Sequence, residues 1–373
     1  MKKMIVSTLI ILCGCATENN ESNRLNEPEL NKLTSISKNK ALQTLSPLSQ
    51  SILNIENAET SNQEKNNEIK KIEFMAKDDP DAMIYLAALY EEGELVTKSE
   101  TKARSLYKKA ANKDHLLARY YYALMLIDGR GGNTNYTEAE SHLLINVKNQ
   151  HDPSSYSLGY LYFIQEKHQN VIDTLSKNDN TNNEYSNYLL AISYLELNKN
   201  TPQAIRLLQQ SAQKDHPYSH LVLGDIYRRG LYDIEVDKEK SFKHLNIAAK
   251  NNNPKALFDL ATLSMENLEL IENDLNIAIS QLKSADKNGY PAASFELAKL
   301  YDKGSLIEQD FNKAIYWYKR SASQGNNRAM YNLASIYING DGVDVSIEKA
   351  EYWLIKSAKN GNNRAKELLK ENK

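Results

Sequence analysis

NLASIYINGDG, residues Asn332–Gly342, closes on two glycines and a carboxylate, as a loop that cradles phosphate or metal would. A phosphate loop needs a strand before it and a helix N-terminus behind the anion. Here the residues before the glycines carry a helical pattern instead. The phrase also returns: FELAKLYDKG at 295–304, LVLGDIYRRG at 221–230 and IYLAALYEEG at 84–93. A phrase that recurs along one chain marks a structural period, so Gly340-Asp341-Gly342 reads as a turn between two helices.

Aligning on the small residue of the phrase gives eight anchors: Ala87, Ala123, Gly159, Ala191, Gly224, Ala261, Ala298 and Ala334. Their successive spacings, by subtraction, are 36, 36, 32, 33, 37, 37 and 36 residues, the range of helical solenoids. Apolar or small residues stand at −5, −1, 0 and +3 from each anchor, one stripe of an α-helix. Glycine at +6 in five repeats (Gly93, Gly129, Gly230, Gly304, Gly340) supplies the left-handed conformation that closes a helix. A second helix follows, marked by Ala103, Ala139, Ala204, Ala278, Ala314 and Ala350. Each hairpin leaves an apolar face that only a neighbouring hairpin covers.

The pattern resembles the Sel1-like repeat, a relative of the tetratricopeptide repeat, with an A-x-x-x-L-G-x-x-Y-x-x-G-x-G-V phrase and a W-Y-x-x-A-A-x-x-G second helix. The seventh and eighth repeats match best, through Ala329, Leu333, Ala334, Tyr337, Gly340, Gly342 and Val343, then Trp353, Ala358 and Gly361, with Trp317 and Tyr318 as the W-Y pair. The third and fourth repeats lack the glycine and depart from the pattern; the sixth, with Ser264 and Asn267, is weak. The resemblance implies an all-α, right-handed α-solenoid of about eight helix-turn-helix repeats over 81–363. We expect a capping helix over 66–80 and a C-terminal cap over 364–373.

The 373 residues carry 46 Lys and Arg against 48 Asp and Glu, a net charge of −2. That balance lacks the basic excess of an electrostatic nucleic-acid binder. The N-terminus has a basic start, Lys2-Lys3, and an apolar run from Met4 to Leu12 that is too short to span a bilayer but suits an export signal. Leu12-Cys13-Gly14-Cys15 resembles the lipobox of bacterial lipoproteins, which implies cleavage after Gly14 and a lipid on Cys15. On that reading 1–14 is the signal peptide. The mature chain then has no free thiol and sits in the bacterial cell envelope, on the periplasmic face of the outer membrane. Residues 15–65, rich in Asn, Ser, Glu, Lys and Thr, read as a flexible tether, some 50 residues with a reach of roughly 40 Å.

Chemistry-bearing patterns are sparse. His216 and His220, four apart, could share a helix face as zinc ligands do, but no H-E-x-x-H accompanies them. We read them as half-exposed polar residues, His216 just outside the helix that Pro217 begins. No catalytic constellation, cofactor, metal or small-molecule substrate is indicated. The tyrosines at +3, and the large residues at −3, read as packing. Positions −2, +1 and +5 differ, because their chemistry drifts along the array. In repeats two to four they include Tyr121, Tyr160, Leu189 and Ile192; in repeats five to seven they include Asp225, Arg229, Asp259, Lys299 and Lys303. In tetratricopeptide-like folds the first helix lines the concave surface. The resemblance therefore implies a partner groove, aromatic toward the amino end (Tyr121, Tyr160) and charged toward the carboxyl end (Asp225, Arg229, Lys299, Lys303). Burial of the apolar part is the alternative.

The function expected is non-catalytic: a membrane-anchored scaffold that binds other envelope proteins. LGDIYRRGLY (223–232) and HLNIAA (244–249) bear a weaker resemblance to the alginate-secretion helical-repeat lipoproteins, which implies a part in assembling an exopolysaccharide export complex. The alternative is a peptidoglycan-related enzyme or a modulator of cell-wall enzymes.

Overall fold

A computed structural model describes residues 46–57, 60–176, 183–272 and 274–371. Cys15, the signal sequence and most of the expected tether lie outside the described residues. Nineteen α-helices and two short 3-10 turns make up the regular structure, with no strand among the described residues. The chain divides into two compact units, Met1–Ala204 and Ile205–Lys373.

The first unit holds α1 (Pro47–Glu56), α2 (Asn62–Met75), α3 (Pro80–Glu92), α4 (Glu100–Ala111), α5 (Leu116–Asp128), α6 (Tyr136–Lys148), α7 (Asp152–Ile164), α8 (His168–Leu175), α9 (Glu184–Glu196) and the start of α10 (Thr201–Ala212). The second holds the rest of α10, α11 (Pro217–Arg229), α12 (Lys238–Ala249), α13 (Pro254–Glu266), α14 (Leu275–Lys287), α15 (Pro291–Lys303), α16 (Phe311–Ser323), α17 (Asn327–Asn339), α18 (Ile347–Lys359) and α19 (Asn363–Glu371).

The first helix of every repeat is 13 residues long, and the anchor is its eighth residue in all eight cases. Six of the anchors are the alanines 87, 123, 191, 261, 298 and 334, each fully buried. The marker alanines of the second helices, Ala103, Ala139, Ala204, Ala278, Ala314 and Ala350, are buried too. Small side chains stand where helix backbones approach closely. At Gly224 the approach is tighter still: an added Cβ would meet Leu245 of α12 at 2.7 Å.

Two backbone devices set five of the hairpins. The second helix begins at a side-chain cap such as Ser99, Asn135, Asp237, Asp310 or Ser346, which accepts a hydrogen bond from an N–H of the first turn. The capping residue's own N–H donates back to the +3 carbonyl of the first helix, as Ser346 does to Tyr337 at 2.9 Å and Asp310 to Tyr301 at 3.0 Å. The stretch read first is therefore a turn. Gly340 ends α17 in the left-handed conformation, with φ +78°. Gly342 has φ +68°, and a Cβ there would lie 2.4 Å from Cβ of Phe311, the first residue of α16. One glycine closes a helix; the other lets the turn nest on the preceding hairpin.

Where glycine is missing, the turn is made otherwise. After Gln165 and Leu197 the left-handed residues are Glu166 (φ +57°) and Asn198 (φ +50°). After α13 a buried Asn267 bonds the Leu263 carbonyl and takes a hydrogen bond from Lys238 at 2.6 Å.

Two expected boundaries differ. The tether does not extend through residue 65: α1 is helical from Pro47, with Leu48 and Ile55 buried, and Ser51 Oγ donates to Glu68 of α2 at 2.7 Å. The helix expected over 66–80 runs instead over Asn62–Met75, opened by a capping box between Ser61 and Glu64. Residues 62–68 are nearly all polar, so hydrophobic periodicity is silent there. The capping signal, a serine three residues before a glutamate, was readable. At the other end α19 seats Ala365 against Ala334 and Leu354, with Leu368 and Leu369 beside them.

Candidate functional site

The residues set apart at −2, +1 and +5 of the first helices fall into two different settings, one in each compact unit.

In the first unit, Tyr121 is half-buried and stacks on Tyr107 of α4, with centroids 5.3 Å apart and planes at 27°. Tyr107 is buried and donates its hydroxyl to Glu91 at 2.8 Å; burial, with Glu91 beside it, pushes that phenol far above its ordinary value. Tyr160 is half-buried against Tyr156 (6.5 Å, 26°), and Tyr156 meets Tyr185 (6.2 Å). Two of the aliphatic members are interior: Leu189 is 5% and Ile192 1% exposed, and Ser157 is buried as well. Much of the expected apolar groove is thus packing. The physical cause is the short second helix of the third repeat. α8 has only eight residues, and α7 lies directly against α9.

In the second unit the expected charged surface is partly inverted. Asp225 is not a presented carboxylate. It is 3% exposed, between Arg229 Nε at 2.8 Å and Arg228 at 3.3 Å. Asp259, one repeat on, is equally buried; it accepts from Lys255 at 2.5 Å and pairs with Arg228 at 3.4 Å. Arg228 also reaches Thr262 Oγ1 at 3.4 Å. Burial alone would lower its guanidinium pKa, but Asp259 and Asp225 outweigh that and raise it. One carboxylate oxygen of Asp225 and Nε of Arg228 are buried without a hydrogen-bond partner among the described residues. Tyr290 sits beside this network, with its ring 4.9 Å from that of Phe258. Its hydroxyl is pushed up to about 12 by burial and then by Asp259.

Arg229 keeps 41% of its side chain exposed. Lys299 pairs with Glu296 at 2.7 Å and is about one-third exposed, and Lys303 is exposed. Arg229, Lys299 and Lys303 therefore keep part of their side chains in solvent while Asp225 and Asp259 are buried. Arg228 and Lys255 were missed because they stand at +4 and −6, off the face chosen from the sequence. The Lys255–Asp259 spacing of four was the available signal for that pair.

The histidines also differ from expectation. His216 does cap α11 from outside the helix, its Nδ1 accepting from the Ser219 N–H at 3.2 Å, but it and His220 are buried rather than half-exposed. His220 Nε2 donates to the Ala212 carbonyl at 2.9 Å, so in the neutral ring Nδ1 is the acceptor, and the Nδ1–H of His244 donates to it at 2.9 Å. Burial depresses all three imidazoles, His216 and His244 to about 4. Among the described residues no group of three His, Cys, Asp or Glu side chains is gathered as a metal site. No described helix is long and apolar enough to cross a membrane.

Against known families, the Sel1 repeat matches residues 80–115, 185–216, 217–253, 291–326 and 327–362. The match includes the fourth repeat, set apart above as a departure, and passes over 116–184 and 254–290. A curated relative, chitin synthase regulatory factor 2 of Schizosaccharomyces pombe, is 28% identical over 173 residues, 46% of this chain and 29% of that protein. The chain thus aligns with less than a third of that relative's length. Among solved structures, a Sel1 repeat protein from Oxalobacter formigenes is 20% identical, with 95% of this chain and 92% of that one covered, at a TM-score of 0.47. A protective antigen of uropathogenic Escherichia coli with an SLR fold is also 20% identical, with 92% and 81% covered, at 0.46.

Proposed function

The chain carries five Sel1 repeats, helical hairpins that mediate protein–protein interaction, and from that premise we propose that it is a lipid-anchored scaffold that holds other proteins of a bacterial envelope together. One observation carries the reading: the −5 and 0 positions of the repeat are constant and buried, while those −2, +1 and +5 residues that reach the surface change chemistry from hairpin to hairpin. The −5 and 0 positions are alanine, serine or glycine throughout. The −2, +1 and +5 positions pass from Tyr121 and Tyr160 to Arg229, Lys299 and Lys303. A frame that repeats while its outer face varies suits recognition of an extended or irregular partner surface.

The Leu12-Cys13-Gly14-Cys15 sequence supports acylation of Cys15 and residence at the periplasmic face of the outer membrane. A second acyl chain would make that anchorage stable where one is marginal. The process it serves, on this reading, is assembly of an exopolysaccharide export complex; the stretch 223–232 and the chitin-synthase regulator among its relatives both lean toward polysaccharide synthesis.

Photo-crosslinkers placed at Lys303 and Tyr121 in intact envelopes test the scaffold. Discrete protein adducts are expected from at least one position, and their absence from both would remove the reading. Cys15→Ser should move the protein from the membrane fraction to the soluble one; unchanged partition would remove the anchor.

A further inference from the structure

Five residues after the marker alanine, the second helices turn a residue outward: Lys108, Gln209, Lys283 and Lys319 are all exposed. In α18 that position holds Ile355, 37% exposed, and three residues before it Tyr352 is 51% exposed. Tyr352 is held in place, with Trp353 edge-on at 5.1 Å and Lys356 over its ring at 4.7 Å. Glu348 and Lys359, both exposed, complete a stripe at spacings of four, three and four, the seam along which one helix packs on another. Neither is paired with an opposite charge among the described residues. Leu144 of α6 is also turned outward, but the rest of its stripe, Thr137, Ser141 and Lys148, carries a single charge.

Acid, aromatic, aliphatic and base follow one another along α18, and that order complements its own reverse. Laid antiparallel on a second copy, with a two-fold axis level with the midpoint of 353 and 354, Glu348 faces Lys359 and Tyr352 faces Ile355, each twice. In a parallel pair Glu348 would face Glu348 and Lys359 would face Lys359. The helix dipole favours an acid in the first turn and a base in the last, but it gives no reason for a tyrosine and an isoleucine in water between them. The other charged residues of α18 lie off the stripe. Glu351 and Lys356 flank it on opposite sides, and Lys349 is turned to the ring of Tyr337 at 5.4 Å, which leaves the stripe itself neutral.

We propose that the outer stripe of α18 is a docking surface for a second copy of this chain, paired antiparallel about a two-fold axis. The contact is one helix against one helix, smaller than a standard interface, so the dimer is weak and fills as concentration rises. The inference goes beyond the scaffold reading, since a dimer presents two arrays to partners at once.

Sedimentation velocity of the full chain at rising concentration tests it. A monomer–dimer equilibrium that weakens with salt is expected. Ile355→Lys, which copies Lys319, should weaken it at least about tenfold. Glu348→Lys and Lys359→Glu should each weaken it about fivefold, because each sets like charges opposite one another twice. An equimolar mixture of those two variants should recover wild-type association, since the lysines of one then meet the glutamates of the other. All three sites are exposed, so the urea midpoints should not move. A photo-crosslinker at Ile355 should yield an adduct of twice the chain's mass.

A single monomer mass at every concentration would overturn the pairing, as would an Ile355→Lys dimer of wild-type strength. Wild-type association by Glu348→Lys, or a mixture no stronger than either variant alone, would overturn the antiparallel register. Crosslinks from Ile355 to other proteins only would overturn the second copy as occupant.

Discussion

The fifth and seventh hairpins place different residues in the same two slots. Twenty residues after the anchor, in the second helix, stand His244 and Tyr318; four after it, in the first helix, stand Arg228 and Asp302. In the seventh hairpin the ring of Tyr318 is fully buried, its hydroxyl donates to Asp302 at 2.9 Å and accepts from Asn332 at 2.8 Å. The first hairpin repeats the device with Tyr107 and Glu91. The fifth cannot, because an arginine stands where the acid would be. Its imidazole turns to His220 instead, and Arg228 reaches outward to Asp259 of the next hairpin. Buried polar groups must find partners. Arg228 has Asp225 in its own helix and reaches Asp259 as well, and that second pairing ties one hairpin to the next and builds the charged layer.

The largest test breaks that tie. Asp259→Ala strands Lys255 and half the pairing of Arg228 in a buried setting, and should cost about 3–5 kcal/mol in urea unfolding. Hydrogen exchange should then rise in α11–α13 before α15–α17. A smaller loss would mean that water reaches the pair.

Acid should sharpen the contrast next. His216, His220 and His244 have folded pKa values below the ordinary 6.5, so the unfolded chain binds more protons. Their contribution to stability is present above pH 6.5 and is lost as pH falls toward about 4, where His216 and His244 titrate in the folded state. Exchange in α11 and α12 should accelerate across that window while α15–α17, which have no histidine, change less. His244→Phe should flatten the response; an equal slope in both regions would deny the histidines this role.

Tyr318→Phe keeps the ring and removes one hydroxyl, leaving Asp302 and Asn332 without it. A loss of about 1 kcal/mol is expected by chemical denaturation. The smallest effect concerns the lysines that lie over the +3 tyrosines, such as Lys313 over Tyr301 at 5.2 Å and Lys349 over Tyr337 at 5.4 Å. Lys313→Met, which also loses the exposed pairing with Asp310 at 2.9 Å, should shift the urea midpoint least of all these variants, since exposed cation–π contacts and surface ion pairs are weak.

Periodicity made the helices legible because burial recurs at fixed intervals whatever the partner. Ala334 and its seven counterparts could be read as interior without coordinates. The −2 residues could not be assigned that way. Tyr121, Leu189 and Asp259 share a register position, yet one is half-exposed, one packs inside a region with a shortened hairpin, and one is a buried acid held by two cations. Helix α1 escaped because its apolar residues sit in a polar stretch with no repeat to announce them.

The amino-acid order alone therefore determined the hairpins, their length, their small-residue seams and the turn at Gly340–Gly342, because each depends on residues close in the chain. Tertiary structure alone decided which outer charges stay in water and which are drawn beneath them. That choice depends on what the next hairpin offers across the seam, as Asp259 does for Arg228, and no local pattern encodes it.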